Sequence, residues 1–347
     1  MNNITELLTF AVNNGAEQVL VSAGSPPAMR RQGKLFFAKM DALTPENTRN
    51  LIASALTPVQ MQQFDQEREL HFSLQVMDNT RVLGSAYFER GCVSGVFRIV
   101  PSAMPPAKLG LPLMLADATG AAEGLIIIAA PPGHGKSTAL ASLVELINAG
   151  REATILTIEA CIRCPHVNKK SVVHQREVGR DTLSFSSALD AASAQDPDVV
   201  VIDPMKNAET VRRALGLAGR GRLVLASMEA DYVVETLTKL MDAAEDRTSP
   251  GVRRQLAASL LLVAALRLLP RRDSAGRVPA TELLKVDARV AGLIRSGDLK
   301  SIEKCMASPE ETGSWTMDSF ILKLHERGLV DDEAARRHLL DVSALES

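Results

Sequence analysis

Cysteine is scarce in this chain, with four residues in 347. Without a secretory leader, so few thiols argue for reduced cysteines and against a disulfide framework. Long hydrophobic runs are missing too. The longest apolar stretch, Leu256 to Leu266, stops at Arg267 and falls far short of the roughly 20 residues that span a bilayer. The opening MNNITELLTFAVNNGAEQ carries Glu6 early and alternates polar with apolar residues at helical spacing. It therefore lacks the basic start and apolar core of a signal peptide. Neither sign of charge dominates: 39 Lys and Arg stand against 41 Asp and Glu, a net charge of −2. The pairs Arg30/Arg31, Arg212/Arg213, Arg253/Arg254, Arg271/Arg272 and Arg336/Arg337 are dispersed, which leaves no footprint for general nucleic-acid binding. Repeats and low-complexity tracts are absent. A cytoplasmic protein with no direct membrane insertion is expected.

What is present is ordinary globular composition, 46% apolar and 23% charged, at a length that favours two domains. Residues 1–100 mix helix and strand. Asn3 with Glu6 resembles a capping box before a helix carrying Leu7, Leu8 and Ala11 on one face, and Thr44-Pro45 starts another helix. Short strands such as VLVSA and SGVFRIVP are punctuated by Gly24, Pro26, Pro27 and Gly33. Proline-rich PSAMPPAKLGLP leads into a linker over 101–115, followed by a second domain over 116–347. There strands GLIIIAA, ATILTI, DVVVID and RLVLAS alternate with helices, which predicts a mostly parallel sheet covered on both faces. From Pro250 onward the chain reads as mainly helical, and RRQLAASLLLVAALRLLP as a helix apolar almost all round.

Residues 130–138, APPGHGKST, carry Gly-His-Gly-Lys-Ser-Thr between a buried strand and a helix, the context a phosphate loop requires. Backbone N–H groups from Gly133 through His134, Gly135, Lys136 and Ser137 to Thr138 would cradle phosphates, aided by the helix dipole. Lys136 would reach the β and γ phosphates, and the Ser137 hydroxyl would ligate magnesium. Ala130 replaces the motif's first glycine, which it can do only at negative φ. The His134 side chain reads as a surface group at a variable position. ATP hydrolysis also needs an oriented water, a group to take its proton, and charge to stabilise the transferring phosphoryl. Glu159 ends a strand beside the loop and is the candidate base; Asp203 ends the next strand and is the candidate magnesium ligand. CIRCPH offers Cys161, Cys164 and His166, with His174 nearby, but a single Cys-x-x-Cys without a partner pair also reads as loop thiols. Cys92 and Cys305 read as packing residues.

Motifs along nearly the whole length then resemble the PilT/PilU group of type IV pilus retraction ATPases, within the ring-forming secretion ATPases. They are SAGSPP with RRQGKL, GVFRIVPS, the phosphate loop, ILTIE, HQREVGRDTLSF, DPDVVVI with ETVRRAL, and GLIRSGDL. The resemblance implies a PAS-like α+β N-terminal domain, a RecA-like ATPase domain with a helical C-terminus, and a hexameric ring binding Mg-ATP between subunits. It assigns Arg81 and Arg98, with Arg90 less securely aligned, to a neighbouring subunit's phosphates. It also implies a pilus or type II secretion inner-membrane platform as partner, with the ring pure or mixed with a related ATPase.

The departures cluster at the chemistry. The acidic box is TIEACIR, keeping Glu159 but placing Ala160, Cys161 and Arg163 where the family has Asp, Pro and Glu. In place of Gly-Glu-Met-Arg-Asp stands Asp203-Pro204-Met205-Lys206-Asn207. Arg222 and Glu229 replace both histidines of the histidine box, and EQVL at 17–20 replaces Ser-Asp-Leu-His. GLIRSG, residues 292 to 297, is an incomplete form of a motif the family uses in retraction. Two readings follow: a motor-type subunit with reduced hydrolysis, or a non-hydrolysing regulatory or structural paralogue that joins active subunits. A nucleic-acid translocase on the same core is disfavoured by the dispersed charge.

Overall fold

The computed structural model describes residues 3–31, 34–77, 80–100, 106–243, 251–272, 276–307 and 313–345. The chain divides into two compact units, Met1–Ser102 with Arg163–Pro165, and Ala103–Ile162 with His166–Ser347. Gly33 and residues 101–105 of the proline-rich stretch lie outside the described residues.

In the first unit, α1 (Ile4–Asn13) buries Ile4, Leu7, Leu8 and Ala11. Its cap differs from the capping box expected with Glu6: the Asn3 side chain accepts from the Thr5 N–H at 2.9 Å. Helices α2 (Pro45–Ala53) and α3 (Pro58–Glu67) both open on Thr-Pro with complete capping boxes, Thr44 with Asn47 and Thr57 with Gln60. Six antiparallel strands complete this unit: β1 (Gln18–Val21), β2 (Ala28–Arg31), β3 (Lys34–Phe37), β4 (Glu69–Val76), β5 (Thr80–Glu89) and β6 (Cys92–Ile99). Their order is β3-β2-β1-β6-β5-β4. Gly84 on β5 is required by close approach, since a Cβ there would lie 2.4 Å from the Phe72 ring.

In the second unit, short helices α4 (Pro106–Leu109) and α5 (Leu113–Ala118) precede the alternation that the sequence predicts. It runs β7 (Gly124–Ala129), α6 (Lys136–Gly150), β8 (Thr154–Glu159), β9 (Val172–Glu177), α7 (Phe185–Gln195), β10 (Val199–Asp203), α8 (Ala208–Ala218), β11 (Leu223–Met228) and α9 (Val233–Asp242). Seven strands stand in the order β13-β12-β7-β11-β10-β8-β9, parallel except for β13. Both faces are buried. Ile126, Ile128, Ile155, Val199 and Val201 pack with Leu140, Leu143 and Ile147 of α6. Leu125, Ile127, Leu156, Val200 and Ile202 pack on the other face with α7, α8 and α9. This alternation sorts every strand residue to one face or the other.

One expectation is overturned. RRQLAASLLLVAALRLLP is not one helix: α10 (Val252–Ser259) gives way to β12 (Leu260–Pro270), which pairs with β7 in the middle of the sheet. Strand β13 (Arg277–Lys285) then returns antiparallel. A short apolar run has no period to separate a buried helix from a strand buried on both faces, and here sheet pairing decides. Helices α11 (Ala288–Ser296), α12 (Leu299–Met306), α13 (Met317–Glu326) and α14 (Asp332–His338) follow. Among the described residues no helix is long and apolar enough to cross a membrane.

Glu282 on β13 ties these layers together. It is 7% exposed. Its carboxyl accepts the N–H of Val233, the first residue of α9, at 2.7 Å, and a backbone hydrogen bond from Met317, the first residue of α13. Both helix dipoles favour the charge, yet burial outweighs them and pushes the pKa from 4.5 up to about 7. A raised carboxyl pKa stabilises the fold fully below the unfolded value, and that contribution is lost as pH climbs through the folded value. Relative to wild type, Glu282→Gln is therefore expected to gain thermal stability as pH rises from about 5 to about 8. Melting curves that shift in parallel across that range would contradict this.

Candidate nucleotide site

The loop between β7 and α6 is shaped by its glycines. Gly133 and Gly135 take φ of 79° and 92°, a region closed to most side chains. Gly135 is the N-cap of α6 and supplies no side-chain cap, so the first-turn N–H groups stay available for an external acceptor. Ala130 is buried and is not among the residues with positive φ, so the missing glycine leaves the entry intact. Lys136 Nζ donates to the carbonyls of Ala130 at 2.7 Å and Pro131 at 3.1 Å. The lysine thus lies folded along the loop that its phosphate partner would fill.

His134 is corrected by the structure. It is half-buried, and its Nδ1 accepts the Leu268 N–H from β12 at 3.0 Å. Arg277 of β13 donates to Gly133 O at 3.3 Å, so the last two strands brace the loop from outside. Burial first, then the charges of Arg267, Arg277 and Lys136, hold the His134 pKa below its ordinary value of 6.5. A neutral imidazole is what a ring nitrogen accepting an N–H must be.

Glu159 and Asp203 end neighbouring parallel strands as direct register partners. By alternation both share the face of Ile155, Val199 and Val201, which is the face covered by α6. Glu159 Oε1 accepts from Thr157 Oγ1 at 2.6 Å and from Gln175 Nε2 at 3.0 Å. Gln175 in turn accepts the His166 N–H at 2.8 Å, tying the loop after β8 to the glutamate. Asp203 is 9% exposed, and its Oδ1 accepts the Ser227 hydroxyl. The next bond, Asp203–Pro204, is cis. Sequence reasoning missed these supporting contacts: Gln175 and Ser227 lie on neighbouring strands and are revealed only by the pairing register, whereas Thr157, two residues before Glu159 on β8, was legible from strand alternation.

Other candidate residues are placed as follows. Arg81 on β5 donates to Ser73 Oγ at 2.6 Å, and Arg98 on β6 is exposed; both belong to the first unit. Arg90 is exposed at φ 51°. Of the substituted histidine-box positions, Arg222 pairs with Asp196, and Glu229 O accepts from Lys239 Nζ at 2.7 Å. Cys164 and Cys305 are buried, and Cys161 and Cys92 are half-buried. His166 Nδ1 meets Glu145 at 3.2 Å, while His174 is exposed. Among the described residues no three of His, Cys, Asp or Glu gather as a metal would need. For magnesium the donor set fits: it takes one or two carboxylate or hydroxyl oxygens and completes its shell with water and phosphate. Ser137 in the first turn of α6 and Asp203 on the face under α6 are such oxygens.

Comparison with known proteins decides the family. The model described as "Type II/IV secretion system protein" matches residues 112–340. The type IV pilus retraction ATPase PilT of Pseudomonas aeruginosa is 32% identical over 335 residues, covering 96% of this chain and 97% of that protein. The chain belongs to the type II/IV secretion system protein family. Within that family it stands close to the retraction ATPases. The type IV pilus ATPase PilU of the same organism is 30% identical, over 96% of this chain and 87% of its own. A solved structure of the pilus retraction motor PilT with bound ADP superposes with a TM-score of 0.91 at 34% identity, covering 99% of each chain. This secretion-family member therefore has the α/β architecture of an ATP-binding motor subunit, and the motif resemblance holds over the full length.

The bracing of the loop is testable by NMR of the histidine ring. The His134 titration midpoint is expected below 6.5, and Arg267→Gln is expected to raise it. A midpoint at or above that value in the wild type would contradict the arrangement.

Proposed function

We propose that this chain binds Mg-ATP at residues 133–138 and acts as a motor-type subunit at the base of a type IV pilus or related secretion machine, with reduced hydrolysis. The observation that supports it most is the pairing of Glu159 with Asp203 on the α6 face of the sheet. Asp203 stands one residue ahead of the family's glutamate, and a one-residue step along a strand ordinarily turns a side chain away. Here the parity of β10 favours Asp203 on the face where the phosphate loop continues into α6.

On this reading the Lys136 ammonium and the loop N–H groups hold the β and γ phosphates. Ser137 and Asp203 offer oxygens to magnesium, which when bound neutralises developing phosphate charge. Glu159, held by Thr157 and Gln175, takes the proton of the attacking water. Arg81 and Arg98 act on the phosphates of an adjacent subunit, in a hexamer built from a domain over 1–100, a linker over 101–115 and a domain over 116–347. The ring sits in the cytoplasm, peripheral to the inner membrane through its pilus machine.

Pro204, in the glutamate's place, favours a second reading, a non-hydrolysing subunit of a mixed ring. A missing positioned base costs a hundred- to ten-thousand-fold in rate, on the order of magnitude, yet leaves lysine and amide contacts untouched. Lys136→Ala is expected to weaken binding of a nucleotide analogue at least about tenfold; unchanged affinity would refute the site. Glu159→Gln is expected to lower steady-state turnover by roughly a hundredfold or more with analogue binding preserved. Absent turnover in the wild type, with altered turnover on mixing with an active homologue, would select the second reading.

A further inference from the structure

Serine at the end of β11 does more than fill the sheet. Ser227 is fully buried, and both of its polar oxygens grip the segment around Pro204. Its hydroxyl donates to Asp203 Oδ1, and its carbonyl accepts the Met205 N–H at 2.8 Å. On the other side, Asp203 O accepts the Ala160 N–H at 2.8 Å, just past Glu159. The Asp-Pro-Met turn is thus held at its side chain, its entry and its exit. No other side-chain bond to Asp203 arises among the described residues, so Oδ2 keeps its acceptor capacity although the residue is almost wholly buried. Oδ2 is not among the buried polar atoms without a partner, so it is the solvent-reached oxygen of the pair and open to an incoming cation.

Resting on the reading that Asp203 offers an oxygen to magnesium, we infer that Ser227 is a positioning residue for that oxygen. A side chain at a strand end has staggered alternatives for its carboxylate. The Ser227 hydroxyl occupies Oδ1 and selects the rotamer that leaves Oδ2 for the metal of the bound nucleotide. This resembles the general role of groups that hold metal ligands from behind, whose loss costs roughly 10- to 100-fold in metal affinity. Because Pro204 removes the family's glutamate, alignment of Asp203 has to come from its neighbour on β11. Glu159 accepts from different donors, Thr157 and Gln175.

The test uses the full chain and a fluorescent non-hydrolysable ATP analogue, titrated with magnesium, alongside kcat and KM where turnover is measurable. Ser227→Ala is expected to raise the magnesium concentration needed for tight analogue binding roughly tenfold or more, with affinity in chelator unchanged. Ser227→Thr, which keeps the hydroxyl, is expected to restore the wild-type requirement. In turnover, kcat should fall while KM at saturating magnesium stays near wild type. If Asp203→Asn shifts the magnesium requirement but Ser227→Ala does not, the inference is overturned and the metal role of Asp203 stands. If neither variant shifts it, the assignment of Asp203 to the metal fails, and the inference with it. Should Ser227→Ala not fold, Ser227→Cys keeps the volume with a much weaker donor, and a wild-type magnesium requirement in that variant overturns the inference equally.

Discussion

Proline lacks the N–H that a sheet ladder needs, and this missing donor fixes the chemistry at the end of β10. With Pro204 in place, the ladder from β10 to β11 stops at Ile202 and Ala226, and Asp203 is the last strand residue. Its parity sends the side chain under α6, beside Glu159 and against Ser227. Pro204 thus closes β10 directly after an aspartate that the strand's own alternation places on the α6 face.

The phosphate loop is governed by a second constraint, its attachment to the far strands. Leu268 bonds to His134, Arg277 to Gly133, and Arg267 stacks 5.0 Å from the Tyr232 ring at the start of α9. Glu282, on the same hairpin as Arg277, holds the first N–H groups of α9 and α13. Displacing Lys136 from the carbonyls of Ala130 and Pro131 would relax the loop against strands that also anchor two helices. The loop is in this way joined, through hydrogen bonds with named partners, to the hairpin that anchors α9 and α13.

Much of this was legible in the sequence, and the reasons for the failures are physical. Strands β7, β8, β10 and β11 announced themselves as apolar runs, ending in the structure at Ala129, Glu159, Asp203 and Met228, and the phosphate loop was unmistakable from Gly133 to Thr138. Thr44-Pro45 marked its helix because capping chemistry is local. Leu260 to Pro270 misled because a run buried on both faces carries no period, and only pairing with β7 makes it a strand. His134 looked like a surface group because its partner, Leu268, lies 134 residues away. Ser227 carried no sequence signal beyond its place in a strand, since its value depends on which β10 residue stands opposite. The face of Asp203 was undecided until the register of β10 was known.

The central claim is that Asp203 and Glu159 form the metal- and water-facing side of a working nucleotide site. A structure of the protein with a non-hydrolysable ATP analogue and manganese, located by anomalous scattering, tests it most directly. The account requires the manganese to lie within direct or single-water reach of Ser137 Oγ and Asp203 Oδ2, with the Glu159 carboxylate facing the terminal phosphate. A bound analogue whose metal sits away from β10, out of reach of Asp203 Oδ2, with Glu159 turned from the phosphates, would contradict it.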